Sequence, residues 1–196
     1  MASDMKERLI DAGLDLFYQQ GFHAAGLDQI IAAVGTTKTT FYNHFESKEA
    51  LALACIQKRD ARWRKRFPAL LRERAGDDPV NQLYEVFNLW QDWFSDIHFN
   101  GCLFIHACSE FPNPNDPCHV AARGNVLALR AIVAGLADQA GIEDPDRFAE
   151  QYSLLMQGSV VLEVIDRQNR AAPIAAEVAD ALIQRALPPR HAEAAV

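Results

Sequence analysis

Strand signals are scarce in these 196 residues: no apolar–polar alternation persists, and no Asn-Gly or Asp-Gly hairpin lies between β-branched runs. Four cysteines, none in a C-x-x-C pair, give no disulfide framework. The C-x5-C and C-x9-C spacings of Cys102, Cys108 and Cys118 do not match zinc patterns. No uninterrupted apolar run reaches the roughly 18 residues of a membrane span, since even Val126 to Ala137 is broken by Arg130. Met1 to Arg8 carries Asp4, Lys6, Glu7 and Arg8 without an apolar stretch, so no secretory signal is read and a cytoplasmic location without membrane contact is expected. Also missing are a nucleophile elbow, H-E-x-x-H, a Walker loop and a dinucleotide glycine pattern. The catalytic rival left is an acid–base pair of His106 and Glu110, four residues apart; the expectation is no enzyme, no cofactor and no metal.

What is present is helix periodicity. Hydrophobic residues at 49% and charged residues at 23% are ordinary globular usage, which leaves no case for wholesale disorder. The net charge of -7 hides an asymmetry. Residues 1–66 hold 10 Lys and Arg against 8 Asp and Glu, whereas residues 67–196 hold 9 against 18, so only the first part is suited to a polyanion.

Nine helices are expected. Asp4 to Glu7 resembles a capping box, followed by an apolar face of Leu9, Ala12, Gly13, Leu16 and Phe17 that ends at Gly21. Leu27, Ile30, Ile31 and Val34 form a second, short helix ending at Gly35. Thr36 and Thr37 are caps for a third, Lys38 to Phe45, and Ser47 caps a fourth. Proline and glycine then divide the rest into Val80 to about Phe99, Cys102 to Phe111, about Cys118 to Ala140, Pro145 to Arg167 and a last helix from Pro173, closed by Pro188-Pro189 before a polar tail.

Two short helices joined by a glycine-containing turn fit the helix-turn-helix plan, whose second helix enters the DNA major groove. In Thr37-Lys-Thr-Thr-Phe-Tyr-Asn-His-Phe45 the outward positions are Thr, Lys, Asn and His, which bond to phosphates and base edges, while Phe41 and Phe45 point inward. The ordered set Leu9-Ile10, Ala12, Leu16-Phe17, Gly21-Phe22, Ile30, Gly35-Thr-Thr-Lys38, Thr40-Phe-Tyr42 and Phe45-Glu-Ser-Lys-Glu-Ala-Leu51 resembles the TetR family of transcriptional regulators. That resemblance implies an all-α fold, with a three-helix helix-turn-helix domain at 1–47 and a helical ligand-binding and dimerisation domain at 48–196. It implies double-stranded operator DNA as partner and DNA contacts from Thr36, Thr37, Lys38, Thr39, Thr40, Tyr42, Asn43, His44 and Lys48, with Tyr42 and Lys48 on phosphate. Two departures stand out: Thr39 replaces a frequent glycine, and Gly26 replaces a capping Ser or Thr. The basic run Lys58, Arg59, Arg62, Arg64, Lys65 and Arg66 reads as a solvated helix face.

For the second domain an apolar pocket with a few polar groups is expected, for an unknown small-molecule effector. Its candidates are Trp90, Trp93, Phe94, His98, Phe104, His106, Phe111, Tyr152, Met156 and Gln157. Homodimerisation is expected through Tyr152, Leu155, Gly158, Ser159, Leu162, Ile174, Val178, Leu182 and Arg185 on the last two helices. The expected function is sequence-specific repression of transcription, released by an inducer. The alternatives are a thiol-based redox or electrophile sensor using Cys102, Cys108 and Cys118, or a protein-interaction module that has lost DNA binding.

Overall fold

Capping side chains and left-handed glycines set the helix ends of the N-terminal region. The computed structural model describes residues 2–188, so the polar tail beyond Pro188 lies outside the described residues. Helix α1 (Ala2–Gln20) stops where Gly21 takes φ +91°. It begins before Asp4, which therefore sits in the positive first turn instead of capping it. Helix α2 (Leu27–Val34) closes with Gly35 at φ 68°, where the N–H groups of Gly35 and Thr36 return to the carbonyls of Ala32 and Ile31 in a Schellman turn. Helix α3 (Lys38–Tyr42) opens on Thr37, whose hydroxyl accepts from the Thr40 N–H at 3.2 Å. It ends three residues earlier than periodicity alone suggests, with Asn43 as its C-cap.

The remaining helices are α4 (Lys48–Ala75), α5 (Pro79–Phe94), α6 (Leu103–Glu110), α7 (Pro117–Gln139), α8 (Pro145–Asp166) and α9 (Ala171–Ala186); among the described residues there is no strand. Helix α5 stops at Phe94, not Phe99, and Asp96 accepts from the His98 N–H in the loop that follows. Helix α9 starts two residues before Pro173, which falls in the first turn where a missing N–H is harmless. Its cap comes from α8: the buried Glu163 carboxylate accepts from the N–H groups of Asn169, Arg170 and Ala171.

Among the described residues two compact units result: residues 2–65 with 100–127, and residues 66–99 with 128–188. The expected boundary at residue 47 is not a boundary between them, because the first part of α4 and all of α6 group with the N-terminal helices. In the first unit Leu9, Phe17, Phe22, Ile30, Phe41, Leu51 and Ile56 share a core with Leu103, Phe104, Ala107 and Phe111 of α6. In the second, Phe67, Leu83, Phe87, Trp90, Phe148, Tyr152, Met156 and Ile183 are buried. Helix α7 is, contrary to expectation, long and apolar enough by length and composition to cross a membrane. Its buried residues Cys118, Ala122, Asn125, Leu129, Val133 and Leu136 recur every three or four positions, the stripe of a helix packed on one side.

Candidate nucleic-acid interface

Helix α3 is amphipathic in the sense that groove insertion demands. Phe41 is fully buried and Phe45 nearly so, their rings 5.8 Å apart, while Thr37, Lys38, Thr39 and Asn43 are exposed and Tyr42 is 56% exposed. Thr36, Thr40 and His44 are half-buried beside them. Thr37 and Thr40 also share a hydroxyl–hydroxyl hydrogen bond of 3.0 Å, so both are tied into the cap. The Lys38 ammonium lies 2.9 Å from the carboxylate of Asp28 in the first turn of α2, a hydrogen-bonded pairing that raises the lysine pKa.

Lys48 is used differently from the expectation. Its ammonium donates to the carbonyls of Phe22, His23 and Ala25 at 2.9, 3.1 and 3.1 Å, so its three N–H donors hold the turn between α1 and α2 and not a phosphate. The same turn is gripped from the other side. Glu110, the last residue of α6, accepts from the N–H groups of Phe22 and His23 at 3.0 and 2.7 Å, and its own carbonyl lies 2.7 Å from Nε2 of His23. The Phe22 and His23 rings pack on Phe111 at 5.4 and 5.2 Å. A Cβ at Gly21 would lie 2.9 Å from the Glu110 carboxylate, so glycine is needed there for space as well as for φ.

These contacts place Phe111, a pocket candidate, and Glu110, the acid–base candidate, against the turn between α1 and α2. They also remove the acid–base pairing with His106, because both Glu110 carboxylate oxygens already accept from backbone; burial pushes the His106 pKa down. Glu110 was not legible as a support residue, since nothing near it in the chain marks a partner 88 positions away. The basic run is largely paired within its unit: Lys58 with Glu7 and Asp11, Arg64 with Asp60, and Arg59 over the ring of Tyr18.

The effector candidates fall in both units. Phe104 belongs with Phe111 to the core of the first unit, where His106 is half-buried. In the second unit Tyr152 and Met156 are fully buried: the Tyr152 hydroxyl donates to the Leu83 carbonyl, and the Trp90 indole to the Met156 carbonyl. Trp93 and Gln157 are half-buried, and His98 is exposed. Phe94 alone of the ten lines a groove described here, one of about 260 Å³ with Ile97, Phe99, Arg167 and Asn169.

The candidate dimer residues divide. Tyr152 is buried within the chain, and Ser159, also buried, lies at the floor of the groove between α8 and α9. Leu155, Gly158, Leu162, Ile174 and Val178 instead line a groove of about 340 Å³ between α8 and α9, while Leu182 is half-buried and Arg185 exposed. The neighbouring face of α8 is exposed and apolar as well, with Leu154 at 75%, Ile165 at 69% and Val161 at 43%.

All four thiols are pushed above the ordinary cysteine range, in each case chiefly by burial, Cys118 to about 12.

Comparison with known proteins agrees with this geometry. The family described as bacterial regulatory proteins, tetR family, matches residues 9–55, which is the reading head with its support helix. The HTH-type transcriptional repressor NemR of Escherichia coli K12 is 32% identical over 130 residues, 64% of this chain; the match spans 65% of the length of that relative. The crystal structure of reduced NemR superimposes with a TM-score of 0.82 at 21% identity, covering 91% of this chain and 96% of NemR. That of SCO4454, a TetR-family regulator of Streptomyces coelicolor, gives a TM-score of 0.86 at 24% identity over 94% of this chain and 96% of its own. These two structures support the fold.

Proposed function

We propose, from its likeness to the bacterial regulatory proteins of the tetR family over residues 9–55 and to NemR, that the chain is a TetR-type sequence-specific DNA-binding regulator of transcription, a cytoplasmic repressor and not an enzyme. The observation that carries the reading is α3: a helix with Phe41 and Phe45 anchored below and Thr37, Lys38, Thr39, Tyr42 and Asn43 exposed above. Thr36, Thr40 and His44 flank that surface, and Tyr42 is the phosphate-contacting member. The DNA-reading function resides in the first 47 residues and effector binding and dimerisation in 48–196. Two chains join through the exposed apolar face of α8 and α9, so that one dimer carries two copies of α3. A small-molecule effector lowers DNA affinity by binding better to a dimer whose heads are wrongly spaced, since a ligand shifts an equilibrium only by its differential affinity for the two states.

Fluorescence-anisotropy titration at fixed salt tests the reading, using a duplex from the region upstream of the chain's own coding sequence and a scrambled duplex of equal composition. Specific binding should exceed scrambled binding by roughly a thousandfold or more. Equal affinities would end the proposal.

A further inference from the structure

Between Leu27 and Phe45 the chain has one basic residue, Lys38, and one acidic residue, Asp28. They are paired with each other at 2.9 Å, with side chains 63% and 76% exposed. The helix-turn-helix segment is thus neutral in formal charge, which is unexpected for a surface that meets a polyanion. Neighbouring cations do not compensate freely: Arg8 donates to the Val34 carbonyl at 2.8 Å, Lys48 holds three carbonyls, and Lys6 lies over the Phe45 ring. An exposed carboxylate in the first turn of α2 also opposes phosphate there unless it has another use.

Resting on the DNA-binding reading above, we propose that Asp28 and Lys38 act together as a specificity-determining pair that reads one G·C base pair in the major groove. The chemistry matches in type and spacing. Guanine presents N7 and O6 as acceptors, and its cytosine partner presents an N4–H donor beside them. O6 and N4 are joined by the base pair's own hydrogen bond, so they lie about 2.7–3.2 Å apart, the same separation as the Lys38 ammonium and the Asp28 carboxylate. Lys38 donates to O6 and N7, and Asp28 accepts the outward N4–H. No proton is transferred; the exposed ion pair keeps its 2.9 Å spacing and adds three hydrogen bonds to bases, two from Lys38 and one to Asp28. A T·A pair offers O4 and N6–H in the same order, but its C5-methyl replaces N7 beside the lysine and adenine N7 faces the carboxylate. Reversed pairs put donor against donor. Away from its site the carboxylate keeps the lysine charge from general phosphate binding, so Asp28 also restrains non-specific affinity.

The test begins with selection of duplexes from a randomised library by the full-length chain, followed by titration of the selected and a random duplex over a salt series. The wild-type chain should select G·C at one position per half-site and lose roughly tenfold or more when it is changed to T·A. Asp28→Asn should bind random duplex more tightly, with a salt slope steeper by about one, and should lose that G·C preference. The charge swap Asp28→Lys with Lys38→Asp retains the ion pair, and so should keep the wild-type melting temperature without the preference. An Asp28→Asn chain with wild-type slope and preference, or a swap that restores the preference, reduces the pair to a tie between α2 and α3 and overturns the proposal. Selection of no sequence by the wild type would instead sink the DNA-binding reading, and this inference with it.

Discussion

Lys48 shows how a residue type and a position suggest one role while neighbouring carbonyls impose another. A lysine at the start of a helix, close to a DNA-reading turn, reads as a phosphate contact in sequence. In the fold its ammonium is surrounded by the carbonyls of Phe22, His23 and Ala25, which leave it no N–H to offer. Replacing it by methionine keeps the aliphatic stem and removes the clamp, so Lys48→Met should lower unfolding free energy by about 2 kcal/mol, the scale of hydrogen bonds to a charged group. The operator salt slope should stay at the wild-type value. Denaturant melts and binding titrations at several salt concentrations measure the two quantities; a slope smaller by about one at unchanged stability would return Lys48 to the phosphates. Tyr42 differs: the family resemblance implies a phosphate contact for it, and its ring is 56% exposed. Residue types alone separate the two cases poorly, because both are amphipathic side chains that can turn toward protein or solvent.

Helices were legible where their ends carry local chemistry. Gly21, Gly35 and Thr37 stop or start α1, α2 and α3 through bonds made within a few residues, so short-range pattern suffices. Helix α5 was read five residues too long, because the aromatic run through Phe99 looks the same whether it continues a helix or packs a loop: Phe94 and Phe99 are both buried, with rings 5.0 Å apart. The same ambiguity covers Tyr152, which shares an apolar arc with Leu155 and Leu162 but is fully buried within the chain. The outward side now carries a prediction. Leu162→Asp with Ile165→Asp alters side chains that are 53% and 69% exposed in the single chain, so helical content should be unchanged while sedimentation shifts from dimer to monomer mass. A variant that sediments as a dimer would place the interface elsewhere.

Two heads on the proposed twofold dimer would impose a spacing on the DNA. Half-site centres should lie about 34–36 Å apart, one helical turn, and inserting about five base pairs between them should remove most of the specific affinity by turning one half-site to the opposite face. Retention of wild-type affinity on the lengthened site, measured by gel shift, would show that each head binds alone. The sequence by itself determined the all-helical class, the order of the helices and which face of α3 is apolar, because periodicity, caps and left-handed glycines act over one or two turns. Only the tertiary structure decided that Glu110 and Lys48 hold the turn ahead of α2, that Asp28 meets Lys38, and that the aromatic residues fill two cores instead of one pocket. Those outcomes depend on which helices pack side by side, and partners 88 residues apart in the chain are chosen by that packing and not by any local preference.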